Sequence, residues 1–335
     1  MKQITFAQFG MGPIGIESIR LAATKGWLRC IGAVDLDPAK IGKSVGQLSG
    51  DDKLAGARVY QSFEELCEVT KPDIMLHTAG SKAQQSMEQF LPIVERGISV
   101  ASTCEELLFP RLRAAAMTER FDKMCRESGA RVVGTGVNPG FVMDVLPIFM
   151  TGVSRSVRSI YVERVVNATT RRGPLQKKIG SGMEADAFRK LFAEGKAGHA
   201  GLKESAALIA HAMAWTLDEL TETCEPIVTD CSIRTQHVEV AAGQTCGLHQ
   251  RCVGTVRGAV KVELDLKMYL EATDPHDALR IDGEPPLEVL VKGGVAGDQA
   301  TVAALINVIP RLLKAEPGMR LMTDLAVPAW IPANE

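Results

Sequence analysis

The stretch Ile4-Thr5-Phe6-Ala7-Gln8-Phe9-Gly10-Met11-Gly12-Pro13-Ile14-Gly15 decides the fold, because an apolar run enters a G-x-G-x-x-G turn without interruption. A second apolar run, Ile31-Gly32-Ala33-Val34, ends on Asp35, about 20 residues downstream, the spacing of a dinucleotide-binding βαβ unit. Gly10 permits the tight turn, Gly12 lets backbone approach a pyrophosphate, and Gly15 lets the helix pack closely on its strand. Unpaired N–H groups at the helix start face the phosphate charge. A carboxylate at Asp35 accepts from both ribose hydroxyls and repels a 2′-phosphate. Leu36 and Asp37 follow it, with no arginine, so NAD is the expected cofactor; Lys40 and Lys43 are the cations that leave NADP possible. The alternative is a glycine-rich strand–helix turn that holds no ligand.

Bulk properties narrow the remaining choices. The chain has 335 residues, enough for two domains, with ordinary apolar (46%) and charged (23%) content for a globular protein. A net charge of −2 supplies no basic footprint for nucleic acid or an anionic membrane. No run of about 18 apolar residues exists to span a bilayer. Met1-Lys2 leads directly into the first strand, leaving no room for a signal or transit peptide. The eight cysteines form no C-x-x-C and no metal-ligand spacing with histidine, so reduced thiols, no metal and a cytoplasmic location are expected.

Residues 1–138 alternate short apolar runs with amphipathic segments, which predicts a Rossmann-type, doubly wound parallel sheet. Strands are expected at 3–9, 30–35, 57–61, 73–79, 97–102 and 130–135, and helices near 14–25, 63–70, 83–96 and 111–128. After Asn138-Pro139-Gly140 the texture changes. A connecting helix is expected at 141–153, a strand at 156–167, and helices near 184–194 and 203–217. From 224 to 292 the pattern is β, with alternating runs at 231–241, 252–257, 259–271 and 287–292, which predicts an α+β domain with a mainly antiparallel sheet over 139–297. An amphipathic helix near 298–314 is expected to return to the first domain with the tail, residues 298–335.

Ligands of an open parallel sheet bind outside the carboxyl ends of its strands. That rule selects Gly10, Gly12, Pro13, Ile14, Gly15, Asp35, Thr78, Ala79, Gly80, Ser102, Thr103 and Asn138 as the candidate cofactor set. Ser102-Thr103-Cys104-Glu105-Glu106 carries two readings. One is a helix start, with Ser or Thr as N-cap and acids in the first turn. The other places one carboxylate beside the nicotinamide; successive helical residues point about 100° apart, so both glutamates cannot face the cleft, and Glu105 is favoured. Asn138 is either a donor to the nicotinamide amide or substrate, or part of an Asn-Pro-Gly turn. Phe141 is a candidate wall of a substrate pocket. His199, in Gly198-His199-Ala200-Gly201, is a candidate pocket donor or a capping residue, and His77 is read as a satisfied core or cofactor-edge histidine. Arg171-Arg172 and Lys177-Lys178, in an otherwise unpatterned loop, grip a phosphate or acidic substrate or simply form a solvated face.

At these residues the chain resembles a known family. Its N-terminal half resembles the dihydrodipicolinate-reductase-like dinucleotide domain. Gly10–Gly15, Ser102–Glu106 and Asn138–Phe141, with Arg171–Lys178 and Gly198–Ser205, are together similar to 2,4-diaminopentanoate dehydrogenase and the native amine dehydrogenases. The resemblance implies NAD(P)-dependent interconversion of a small ketone or aldehyde plus ammonia with a primary amine. It also implies that Glu105, the first glutamate of its run, is the catalytic carboxylate, and that a homodimer forms through the second-domain sheet. Dihydrodipicolinate reductase itself carries a His-His pair; none occurs here, which argues against diacid imine reduction. Two competing readings use the same scaffold: carbonyl reduction or alcohol oxidation without ammonia, and a non-catalytic dinucleotide sensor.

Overall fold

The computed structural model describes residues 3–332. β1 (Ile4–Phe9) leads through α1 (Pro13–Ala23), β2 (Leu28–Val34), α2 (Val45–Ser49), β3 (Val59–Tyr60) and α3 (Phe63–Val69) to β4 (Ile74–His77). Then come α4 (Ala83–Glu95), β5 (Ser99–Ser102), α5 (Arg111–Ser128) and β6 (Arg131–Gly134). The middle of the chain forms α6 (Val145–Thr151), β7 (Ser156–Asn167), α7 (Gly173–Lys178), α8 (Ala185–Ala193) and α9 (Leu202–Ala212). Seven strands follow: β8 (Glu219–Val228), β9 (Ile233–Arg234), β10 (Glu239–Val240), β11 (Thr245–Val256), β12 (Ala259–Tyr269), β13 (His276–Glu284) and β14 (Leu287–Lys292). α10 (Gly297–Asn307), α11 (Ile309–Leu312) and β15 (Gly318–Arg320) come last. Two compact units result, Met1–Gly140 with Ala296–Glu335, and Phe141–Val295.

In the first unit one seven-stranded sheet runs β15-β6-β5-β4-β1-β2-β3, parallel throughout. β4 and β5 are buried along their whole length, as expected of a parallel sheet covered on both faces. Phe9, Met75, Phe90, Val100, Phe121 and Val132 sit in one apolar core. Strand order reverses between β1 and β4, so the crevice at a switch point opens beside Gly10 and Thr78.

In the second unit a six-stranded sheet runs β14-β13-β7-β12-β11-β8, antiparallel except between β7 and β12. α6, α8 and α9 pack on it. Ile160, Val162, Leu248, Cys252, Leu264, Leu266 and Leu279 are buried, while their strand neighbours Tyr161, Glu163, His249, Arg251, Glu263 and Lys267 keep solvent contact. Period-two alternation therefore separates an apolar face from a charged one.

Several expected elements differ. Residues 231–241 form two short strands, β9 and β10, rather than one. β11 starts at Thr245, because Gly247, Gln250 and Gly254 break the apolar alternation that would reveal it. β13 escapes pattern reading because Asp277 occupies a buried position there. The 203–217 helix stops at Ala212, where Ala214 turns to φ +53°. Only Val145–Thr151 of the 141–153 segment is helical. The segment expected as an unpatterned loop contains α7. The returning helix is divided at Val308, just before Pro310, whose missing N–H interrupts the ladder. β15, too short to carry a pattern, completes the parallel sheet by pairing with β6.

Candidate active site

The strand ends of the first unit are tied into one surface by their backbones. Gly10 N donates to Val34 O (2.8 Å), Thr78 N to Phe9 O (2.9 Å), Thr103 N to His77 O (3.0 Å) and Thr135 N to Ser102 O (2.8 Å). Thr78 Oγ1 donates to Gly10 O (3.0 Å) and accepts from the amide of buried Gln8 (3.0 Å). Gln8 also donates to Gly10 O (3.2 Å), so one side chain holds both the glycine turn and the β4 end. Pattern reading passed over Gln8, although a lone amide in an otherwise apolar strand is a visible signal.

The glycine turn fits a dinucleotide on three counts. Gly10 has φ +92°, a left-handed conformation that favours glycine. A Cβ on Gly15 would lie 1.9 Å from Gly10 O, so no side chain is accommodated there. A Cβ on Gly12 would meet nothing within 4 Å; its glycine keeps open the space above the start of α1. Gly12 caps that helix without a side-chain hydrogen bond, and Pro13 occupies its first turn. Asp35 Oδ2 accepts from Met11 N (2.6 Å) and Oδ1 from Asp37 N (2.8 Å), which fixes the carboxylate beside the turn. Lys40 Nζ lies 3.3 Å from Asp35 and 3.4 Å from Asp37, a cation beside the carboxylate expected to meet the ribose. Gly80, at φ +121°, leaves a second open position after β4.

Around Ser102 the helix-start reading holds in part: Glu105 and Glu106 do stand in a first turn, but neither Ser102 nor Thr103 is its N-cap. The run enters a 3₁₀ turn, Glu105–Leu108, preceded by Cys104, which contributes no side-chain cap; α5 begins only after Pro110. Ser102 Oγ instead accepts from Cys104 N (3.0 Å) and meets His77 Nδ1 (2.8 Å). His77 Nε2 meets Gln89 Oε1 (2.9 Å), and an amide oxygen only accepts. Nε2 therefore carries the ring proton, Nδ1 accepts from Ser102, and the serine oxygen is left to accept from Cys104. Burial pushes the His77 pKa down to about 4, so the ring is neutral at physiological pH. Burial likewise pushes the Cys104 thiol up to about 12, leaving no thiolate nucleophile there.

The two glutamates part at this turn. Glu106 is buried; its carboxylate accepts from Lys82 Nζ (2.9 Å) and from Ala83 N (2.9 Å) at the start of α4. Glu105 is half-buried, and its carboxylate forms no hydrogen bond or ion pair among the described residues. The Lys82–Glu106 pair spans 24 positions and has no local signal in the sequence. Asn138, joined to Pro139 by a cis peptide, lies in the loop after β6, and Gly140 closes that loop against Gly136. Phe141 and His199 belong to the other unit. Phe141 is exposed there, and the His199 backbone is bracketed by the Gln250 amide, accepting at His199 O (2.9 Å) and donating from His199 N (2.8 Å). Among the described residues no group of three or more His, Cys, Asp or Glu is arranged to hold a metal ion, and no helix is long and apolar enough to cross a membrane.

Comparison with known proteins identifies the family. Residues 141–334 match the model of the 2,4-diaminopentanoate dehydrogenase C-terminal domain. The chain is 31% identical over 322 residues to the 2,4-diaminopentanoate dehydrogenase of Acetoanaerobium sticklandii, covering 90% of this chain and 91% of that one. It is 21% identical to an amine dehydrogenase of Streptomyces virginiae, covering 96% of each. The fold matches the structure of an amine dehydrogenase from Mycobacterium smegmatis with a TM-score of 0.86 at 20% identity, over 99% of this chain and 98% of that one. With a glycine turn that fits a dinucleotide in one unit and a family match across the other, the chain belongs to the 2,4-diaminopentanoate dehydrogenase family and is an NAD(P)-dependent dehydrogenase.

Proposed function

We propose that this dehydrogenase joins a small ketone or aldehyde to ammonia, giving a primary amine at the expense of NADH, and runs the reverse oxidative deamination. The observation that carries the reading is Glu105, a half-buried carboxylate at the end of β5 with no partner among the described residues. Reductive amination needs a base for ammonium, help with water loss, and a counter-charge for an iminium. One unpaired carboxylate serves all three. It takes a proton from ammonium, returns it to the departing hydroxyl of the carbinolamine, and then stabilises the iminium carbon's positive charge. Both oxygens of Glu106 are already engaged, one by Lys82 and one by the Ala83 amide, which makes it the poorer candidate. The nicotinamide, when bound, supplies or accepts the hydride. Asp35 favours NADH over NADPH through its negative charge beside the ribose site.

A homodimer is proposed through the charged face of the six-stranded sheet. Glu163 with Lys267 (2.6 Å) and Arg251 with Glu263 put both signs on that face, so a second copy meets complementary charge.

The test is NADH oxidation with acetone, 2-butanone, cyclopentanone and propanal, each with and without ammonium. The expected result is turnover only when ammonium is present; equal turnover with carbonyl alone means plain carbonyl reduction. Glu105→Gln is expected to lower amination about 10²–10⁴-fold while NADH still binds. Near-full activity in that variant removes Glu105 from the mechanism.

A further inference from the structure

The turn that carries Glu105 is anchored on both sides, and the anchor that follows it is Glu106. Upstream, Thr103 N donates to His77 O and Cys104 N to Ser102 Oγ, both at 3.0 Å. Downstream, Glu106 N donates to Ser81 O (3.3 Å), and the Glu106 carboxylate spans Lys82 Nζ and Ala83 N, each at 2.9 Å. Leu107 then closes on β6, where a Cβ at Gly134 would lie 2.5 Å from the Leu107 carbonyl carbon. None of these ties uses the Glu105 side chain, which forms no hydrogen bond or ion pair among the described residues.

We infer that Glu106 is the positioning residue for the acid–base carboxylate, an inference that rests on the assignment of Glu105 above. Its two oxygens lock the 3₁₀ turn to the first residues of α4, and α4 is a 13-residue helix packed in the core. The turn therefore takes its place from a rigid element rather than from its own short ladder. Glu106 also pairs with the ammonium of Lys82, so the adjacent Glu105 does not compete for it. Reactions of bound groups are steep in geometry; about 1 Å of misplacement can cost on the order of 10²-fold in rate. A mere packing role would lower stability and cofactor affinity together. A positioning role lowers kcat and leaves the dinucleotide cradle alone.

The test uses the full-length enzyme with NADH, ammonium and 2-butanone, or the panel member turned over fastest. Glu106→Asp keeps the charge but is one methylene too short to reach both Lys82 and the Ala83 amide. Its kcat is expected to fall at least about tenfold while the Kd for NADH stays within about twofold. Glu106→Gln keeps an oxygen for the Ala83 N–H but gives up the Lys82 ion pair, and is expected to lower kcat while staying well above the activity of Glu105→Gln. Wild-type kcat in Glu106→Asp overturns the inference, as does an equal loss of kcat and NADH affinity in that variant. A Glu106→Gln enzyme as inactive as Glu105→Gln also overturns it, because Glu106 would then act in the chemistry itself. Full amination activity in Glu105→Gln is a separate outcome, which removes the mechanism whatever Glu106 does.

Discussion

The seven-stranded sheet of the first unit is covered on both faces, whereas the six-stranded sheet of the second is apolar on one face and charged on the other. A sheet covered on both sides has only its strand ends to offer a ligand, and here those ends carry glycine, threonine, serine and two glutamates. A sheet with one open face offers an area, and here that area is a lattice of ion pairs. The two also bury polarity differently. Beneath the first unit's site lies a neutral chain, Gln89–His77–Ser102. Within the second lies a full ion pair, Arg164 Nη1 to Asp277 Oδ1 at 2.7 Å, with side chains only 3% and 5% exposed. That pair also grips the end of its unit, since Arg164 Nη2 donates to Val295 O and Val295 N donates to Asp277 Oδ2, both at 2.7 Å.

The contrast in buried polarity gives the largest expected stability effect. Arg164→Met strands a buried carboxylate and is expected to cost about 3–5 kcal/mol in denaturant unfolding. Arg164→Met with Asp277→Leu is expected to recover most of that loss, because no unpaired charge remains. If the double variant is no better than the single one, the pair is not what makes Arg164 matter.

The neutral chain of the first unit predicts acid sensitivity of the opposite origin. His77 has a folded pKa of about 4, below its unfolded value of about 6.5, so the unfolded chain takes up the proton first. Its contribution to stability is whole above the unfolded pKa and declines as pH falls toward the folded one, by on the order of 3 kcal/mol in total. Comparing wild type with His77→Asn by urea unfolding at pH 7 and pH 4.5 isolates it: the stability gap between the two is expected to narrow at the lower pH. A gap that stays constant would contradict the buried, neutral ring.

The smallest expected effect belongs to the open face. Glu163 is held below the usual carboxylate range, burial opposing the shift and Lys267 and His276 outweighing it. These groups keep solvent contact, so Lys267→Met is expected to cost less than about 1 kcal/mol in folding stability. If a second copy covers this face, the same variant is expected to weaken the dimer in sedimentation equilibrium, more at low salt than at high. A wild-type protein that sediments as a monomer ends that proposal.

The reading of residues 156–167 as a strand coincides with β7, and α4 and α5 fall within a residue of their expected spans, because long patterns announce themselves, although Ala114 (φ −146°, ψ 58°) kinks α5 near its start. β13 and β15 were invisible for opposite reasons. One hides its alternation behind buried Asp277, and the other has three residues and no pattern at all. The tight turn at Gly10, the close packing at Gly15 and the placement of Asp35 beside that turn were legible, because a turn and its flanking acid are set by local backbone and fixed spacing. The tie between Glu106, Lys82 and Ala83 was not, since its partners come from the start of a helix more than 20 positions earlier.

The sequence by itself determined the parallel fold, the glycine turn between β1 and α1 and the presence of two adjacent carboxylates at the end of β5, since strand periodicity, glycine geometry and spacing are local properties. Only the tertiary structure decided how those carboxylates differ. Neighbouring side chains share one chemistry and one stretch of backbone, and which of them is buried against a cation and a helix start depends on what α4 brings beside it.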